Sequence, residues 1–449
     1  MSKQKIQLSD HFTYPRLLWF VLPAVGTMLF TSIYGIVDGL CVSNFVGKTA
    51  FAAVNLIMPL PQLLATIGFM LGTGGSAIVG ITLGEGDQKK ADRYFTLFLL
   101  AALVSVSVLA VLGIVFLRPI AVLLGAKGEL LDYAVRYGRI LMVSLPTFAL
   151  QNMFQSFFVT AEKPHLGFWF TVGAGCTNMV LDVLMVGIWG WGVEGAAIAT
   201  FISQLVGGVL PVFYFIDRSN SSRLHLCKTS FYSKVLRDAC INGSSELMTN
   251  LSMSLVNILY NYQLLRLAGE NGVAAYGVIM YAAFLFVAVF VGYAVGSAPI
   301  VSFHYGARNH AEVHNLYRKS LRLIAVVAVT LTLASMFIIP CVARIFVGYD
   351  AELLALTSRA FRLYALSFLI MGFNVYASSF FTALGDGVTS ALISFLRTLA
   401  FQVIAILLLP LLLGIDGIWL AVTAAELAAL AVSAAMLLTK DKVFHYRKV

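Results

Sequence analysis

Residues 47–84 read GKTAFAAVNLIMPLPQLLATIGFMLGTGGSAIVGITLG, and residues 269–306 read GENGVAAYGVIMYAAFLFVAVFVGYAVGSAPIVSFHYG. Laid side by side at an offset of 222 and without a gap, they share Gly47/Gly269, Ala52/Ala274, Ala53/Ala275, Ile57/Ile279, Met58/Met280, Leu63/Leu285, Gly74/Gly296, Ile78/Ile300, Val79/Val301 and Gly84/Gly306. An apolar composition of this kind would produce roughly four such identities by chance. The same offset pairs Gly192, Gly195, Ala199 and Leu205 with Gly414, Gly417, Ala421 and Leu427, so the repeat spans most of two halves. A chain duplicated in this way is a common ground plan of membrane transporters.

Composition independently points to lipid as the solvent. Of 449 residues, 60% are hydrophobic and only 11% are charged, and the mean hydropathy is +0.89. A water-soluble globule cannot cover itself with so little polar surface. Apolar runs near 20 residues are long enough to cross a hydrocarbon core of about 30 Å as helices. Twelve such spans are expected, over 16–42, 50–79, 93–117, 133–159, 165–189, 193–216, 236–265, 273–303, 318–342, 355–383, 389–413 and 417–438. The runs are too long and too uniformly apolar for barrel strands. The one long polar interruption, Asp217 to Arg237, opens with Ser219, Asn220, Ser221 and Ser222 and reads as a linker. The expected fold is therefore an all-α integral membrane protein with two six-helix lobes, 1–216 and 236–449, joined by a linker at 217–235. Six crossings return the chain to its starting side, so the lobes are expected to be related by a pseudo-two-fold axis along the membrane normal.

Lys and Arg concentrate in Lys89, Lys90 and Arg93, in the linker, in Arg308, Arg318, Lys319 and Arg322, and in the Lys440–Lys448 tail. This bias puts both termini in the cytoplasm. The net charge of +9 is then accounted for by orientation and anionic headgroups, with no call on nucleic acid. Lys3 and Lys5 precede an apolar run longer than a signal-peptide core, which reads as a retained first helix. The five cysteines, Cys41, Cys176, Cys227, Cys240 and Cys341, are scattered and form no CxxC pair, so neither a disulfide framework nor a metal site is expected.

Acids inside the spans need a reason, because each costs about 2.5–3.5 kcal/mol at mid-bilayer. Four are placed there: Asp38, Asp182, Glu246 and Glu426. Asn178 and Asp182 are four apart and stack an amide and a carboxyl on one helix face, able to hold a proton or a small cation. Glu426 has Gln204 as its mate in the repeat. Along the seventh span, Asn250, Asn257 and Asn261 align on one face with Tyr260 nearby, and with Glu246 they are candidates for lining a substrate cleft. An interhelical hydrogen-bonding role is the competing reading of these groups.

Asp38, the Gly47–Ala53 segment, Gly72-Thr-Gly-Gly-Ser76 leading to Gly84-Glu-Gly-Asp87, Asn178-Met-Val-Leu-Asp182 and Gly192-Val-Glu-Gly195-Ala-Ala-Ile-Ala-Thr200 resemble, in order and spacing, the multidrug and toxic compound extrusion (MATE) family. The resemblance covers nearly the whole chain. It implies an efflux antiporter with V-shaped lobes that export amphipathic, often cationic, compounds against entering H⁺ or Na⁺. It also implies an ion-coupling network at Asp38, Tyr137, Asn178, Asp182 and Thr200, with Na⁺ as one ion that Asp38, Asn178 and Asp182 would hold. The chain departs from a second branch of the family that uses carboxylates within helices 7 and 10: its helix 10 has no acid before Asp386, and Glu246 lies early in helix 7, where Ser244 and Ser245 stand in place of the usual proline.

No cofactor beyond the coupling ion and no obligate protein partner is expected. The partners are small amphipathic substrates and membrane lipids, and the location is the inner (cytoplasmic) membrane. Two alternatives remain. A flippase for lipids or lipid-linked oligosaccharides would need a strongly cationic cavity, whereas basic residues within spans are few, Arg397 with Arg139 and Arg362. A polytopic membrane enzyme would need a catalytic motif, and no HExxH, nucleophile elbow or phosphate loop is present.

Overall fold

The computed structural model describes the backbone of residues 6–45, 48–348 and 350–447; the side chains of residues 36, 38–48, 51 and 345 lie outside the described part. The described residues form helices α1 Tyr14–Phe45, α2 Lys48–Ile57, α3 Pro59–Gly84, α4 Gln88–Leu123, α5 Glu129–Thr160, α6 Pro164–Asp182, α7 Gly192–Gly208, α8 Leu210–Ile216, α9 Ser233–Gly306, α10 His310–Val347, α11 Ala351–Ala365, α12 Phe368–Ala383, α13 Gly387–Phe395, α14 Phe401–Leu413, α15 Ile415–Thr439 and α16 Asp441–Phe444. Two π-helical segments, Val183–Ile188 after α6 and Leu396–Ala400 after α13, interrupt the fifth and eleventh spans.

Among the described residues, nine helices are long and apolar enough to cross a membrane singly. Three local features bring that number to twelve spans. α9 has 74 residues, about 111 Å if straight, and breaks at Gly269 into two crossings. α11 and α12 form one span bent by 45°. α5 is long enough, but three amides, Gln151, Asn152 and Gln155, dilute its hydropathy. The second span also differs from an unbroken 50–79: it splits at Met58, where Pro59 and Pro61 start α3, a position that tolerates proline because its N–H has no helical partner anyway.

At the break in α9, Gly269 has φ 62° and ψ −151°, a region open essentially to glycine alone. A Cβ there would meet no atom within 4 Å, so the cost of a side chain is purely a backbone cost. Gly269→Ala is expected to lose about 1–3 kcal/mol, read as a lower thermal midpoint in detergent with no change in the cavity.

The repeated glycines are where the lobes touch. A Cβ on Gly74 would run into the α9 backbone at Ala239 and Gly243, and one on its mate Gly296 would run into Val21 and Ala24 of α1. Gly84 lies against Phe303 and Ala307, while its mate Gly306 lies against Ile81, so the ends of α3 and α9 cross glycine to backbone in both directions. In lipid, where apolar burial does not drive helices together, such close approach is the main source of association.

The apolar cores follow the same geometry. One cluster runs through both lobes at the end that carries the termini, from Leu8, Phe12, Phe95 and Phe157 to Phe303, Phe380 and Tyr446. Farther from that end each lobe has its own core, around Tyr137 and Val193 in the first and around Tyr260 and Trp419 in the second. The lobes are thus fused at the terminal end and separate toward the other.

Residues before α1 reinforce the fused end. Leu8 and Phe12 are fully buried. The Leu8 amide donates to Glu162 Oε1 (2.8 Å) of the first lobe, and Glu162 is paired with Arg223 (2.5 Å). The Phe12 amide donates to Glu312 Oε1 (2.8 Å) of the second lobe, and Asn315 and Lys319 donate to the Phe12 carbonyl. The C-terminal residues return to the same end, with Tyr446 packed on Phe380 and Tyr317 and its carbonyl accepting from His314 Nδ1 (2.9 Å).

Between the tenth and eleventh spans, Asp386 caps α13 and pairs with Lys440 (2.8 Å). Burial raises the Asp386 pKa, but Lys440 and Thr389 together outweigh it and hold the carboxyl below its ordinary 3.8. A lowered carboxyl stabilises the fold above the unfolded value and loses that contribution as pH falls through the folded one. The stability gap between the wild type and Lys440→Met is therefore expected to be complete above pH 3.8 and to close below it, measurable as thermal midpoints across an acid titration.

Candidate functional site

A cavity of about 440 Å³ lies beyond the fused end, within the first lobe and against α9. Small residues bring its walls together. Gly68 and Gly72 let α3 lie against α5 at Ala149 and Met153, Gly207 and Gly208 let α7 lie against Gln151 and Thr147, and Gly175 of α6 sits beneath Phe30 and Tyr34 of α1. The polar face of α5 is thereby turned inward, presenting Gln151, Asn152 and Gln155 to Asn178 of α6 and to Thr200 and Gln204 of α7.

Of the five residues marked for ion coupling, Asn178 and Thr200 border this cavity. Asp182 is fully buried behind its wall, at the point where α6 passes into the π-helical turn. Tyr137 is likewise buried, in the apolar core beside Ile57 and Val186. The Asp38 side chain lies outside the described residues; Tyr34 and Gly35, one turn earlier on α1, border the cavity.

The candidate substrate residues separate. Asn250 reaches the cavity, its amide donating to the Glu246 carbonyl (2.9 Å). Asn257, Tyr260 and Asn261 do not border it. They share the helical face of Asn250, but two turns on that face packs against the second half of α9: Tyr276 donates to Asn257 Oδ1 (2.6 Å) and stacks on Tyr260 at 4.9 Å. Asn261 sits with Tyr262 and Glu270 in a shallow hollow at the far end.

Glu246 lines a second, smaller cavity of about 160 Å³ between the lobes, facing Arg397 among the hydroxyls of Thr73, Ser76, Thr249 and Ser378. Arg397 Nε pairs with Glu426 Oε1 (2.9 Å), both almost wholly buried. Asn374 donates to Glu426 Oε2 (2.7 Å) and to its backbone carbonyl (2.9 Å), and Ser433 donates to Asn374 Oδ1 (2.9 Å). Glu426 is therefore a partner in a closed polar network.

The two lobes can be read against each other. Asn374 and Glu426 are the repeat mates, at the 222 offset, of Asn152 and Gln204. In the second lobe the two are satisfied internally, Glu426 by Arg397 and Asn374, and Asn374 by Glu426 and Ser433. In the first lobe, Gln151 Oε1, Asn152 Nδ2, Gln155 Oε1, Asn178 Nδ2 and Gln204 Oε1 are buried without a hydrogen-bond partner among the described residues. The sequence reading overlooked Gln151, Asn152 and Gln155. Their signal was three amides within five residues of an otherwise apolar span.

A duplicated bundle fused at one end, with a polar cavity inside one lobe, defines a multi-pass membrane transporter of the two-lobed class. The sequence matches the MatE family over residues 23–184 and 247–408, one stretch in each lobe, and the chain belongs to that family. It is 21% identical over 433 residues to the multidrug export protein MepA of Staphylococcus saprophyticus subsp. saprophyticus, covering 95% of this chain and 94% of the relative. A second similar protein, multidrug export protein MepA of Staphylococcus aureus strain MSSA476, is 21% identical over 432 residues, covering 96% and 95%. Among solved structures, an outward-facing multidrug resistance MATE family transporter of the MOP superfamily superposes with a TM-score of 0.92 at 22% identity, covering 99% of each chain. A MATE crystallised with MaL6 gives the same TM-score and identity, covering 99% of this chain and 100% of that one.

Proposed function

We propose that the protein is a secondary active exporter that moves amphipathic, often cationic, small molecules out across the cytoplasmic membrane in exchange for H⁺ or Na⁺. The observation that carries this reading is the first-lobe cavity: a buried, amide-lined chamber with Asp182 behind its wall, beyond an end where the lobes are fused. The relatives named as multidrug export proteins support it. The excess of Lys and Arg at the fused end supports a cytoplasmic position for that end.

In this reading Asp38 and Asp182 share a poorly solvated pocket, and one ion arriving from outside neutralises the pair. The ion acts only through its different affinity for the two lobe arrangements. Neutralisation repacks α1 and weakens the hold on substrate while the cavity faces outward, and the reverse change reloads it from the cytoplasm. The described wall of the larger cavity carries no Lys or Arg, and Arg397 beside the smaller one is already paired with Glu426, an arrangement poorly suited to a pyrophosphate-linked lipid.

The test is efflux of ethidium from proteoliposomes under separately imposed pH and Na⁺ gradients. One gradient is expected to drive export by the wild type, and Asp38→Asn and Asp182→Asn are each expected to lower that export more than tenfold with folding intact. Full ion-driven export by Asp38→Asn rejects the coupling mechanism. Absence of gradient-driven export by folded wild type rejects the exporter.

A further inference from the structure

Resting on the export reading, we propose that the first-lobe cavity selects, within the amphipathic class, uncharged planar ligands that carry an imide-type edge: an N–H flanked by two carbonyls. The described wall of this cavity holds no Asp, Glu, Lys or Arg. It offers amides. Gln151, Asn152, Asn178 and Gln204 are each more than nine-tenths buried and border the cavity, and each has an amide atom without a partner among the described residues.

An unmade hydrogen bond on a buried group is costly, and these atoms, closed off from the chamber as they stand, gain partners there by turning their amides toward an occupant that can supply them. Water can do so in the empty state. A ligand that displaces that water must supply N–H groups to the glutamine carbonyls and acceptors to the asparagine amides. Because a side-chain amide can turn over, each position presents a donor beside an acceptor, and the complement is an alternating edge. An imide edge has that alternation, and a lone ammonium does not. Tyr34, Phe148, Phe284 and Met28 supply flat, polarizable surface for the ring that carries the edge.

The repeat gives the argument its control. At two of the four equivalent positions of the second lobe, Asn374 and Glu426, the polar atoms are consumed by the Arg397–Glu426–Asn374 network, and at the other two stand the apolar Phe373 and Ala400. The same scaffold is closed there by an internal cation and left open here, so the open amides are a property of one lobe and not of the fold.

Binding is measured on purified protein in lipid nanodiscs with three probes: riboflavin, its N3-methyl derivative, which lacks the imide N–H, and ethidium, a permanent cation without the edge. Wild type is expected to bind riboflavin at least about tenfold more tightly than the methylated flavin, since a buried partner left unmade costs that much. Gln151→Leu and Gln204→Leu are each expected to weaken riboflavin about tenfold and ethidium less than twofold. Gln204→Glu is expected to weaken riboflavin and tighten ethidium. Equal binding of the two flavins, no saturable riboflavin binding, or equal losses of riboflavin and ethidium in the Leu variants overturns the proposal. The flavin comparison uses wild type alone, so a variant that fails to fold does not remove the test. Ion-driven riboflavin efflux in proteoliposomes reports separately on export: flavin discrimination in binding without efflux rejects the exporter and keeps the site, and efflux without discrimination does the reverse.

Discussion

Glu426→Leu is expected to destabilise the protein by about 3–5 kcal/mol, the cost of leaving a buried charge uncompensated. The charge is Arg397, whose side chain is 12% exposed and whose Nε pairs at 2.9 Å with the Glu426 carboxylate, on a side chain only 1% exposed. With the Glu426 carboxylate gone, Asn374 also loses one of its two acceptors and keeps only the backbone carbonyl of residue 426. Removing both charges is a different experiment. Arg397→Leu with Glu426→Leu fills the same space with apolar atoms and is expected to recover most of the loss, because a buried ion pair contributes little beyond the cost of burying it. Thermal midpoints of the two single variants and the double variant in detergent decide the matter. A double variant no more stable than Glu426→Leu would mean that the network, and not the pairing of charge, holds the second lobe.

The second large effect concerns the fused end. Gly84→Val and Gly306→Val each place a branched side chain where a neighbouring backbone already stands, at Phe303 and Ala307 in one case and at Ile81 in the other. Backbone cannot yield as a side chain tip can, so overpacking of at least about 1–3 kcal/mol is expected against the closed arrangement at this end. A penalty of that size moves a two-state population by roughly ten- to a hundredfold. Distances between spin labels placed on α3 and α9 at the terminal end are therefore expected to lengthen in both variants. Unchanged distances in a folded protein would show that this crossing does not hold the terminal end together.

Much of this architecture was legible beforehand because it depends on quantities a sequence states directly. The offset of 222 carries the two lobes, and the same glycines that revealed the repeat, Gly74/Gly296 and Gly84/Gly306, are the ones at which the lobes touch. Span number was legible as well: 133–159 is expected as one span despite the three amides of α5, and 236–265 and 273–303 are expected as two crossings where α9 breaks at Gly269. The site was half legible. The spacing of Asn178 and Asp182 placed both on one face of α6, yet only the first borders the cavity. Asn257 and Asn261 shared a face with Asn250, and helical phase alone does not say where along that face a cavity ends.

By itself, then, the sequence determined solvent, duplication and crossing number, because these follow from composition, periodicity and length. Tertiary structure alone decided which polar groups are closed and which are open. Asn152 and Asn374 are identical mates in the repeat and differ only in what the neighbouring helices bring to them. Arg397 on the eleventh span pairs with Glu426 of the second lobe, whereas Gly175 stands at the matching position on the fifth. Whether a buried amide is a structural bolt or a binding group depends on its partner across several ångströms of packed space, and no spacing along one helix encodes that distance.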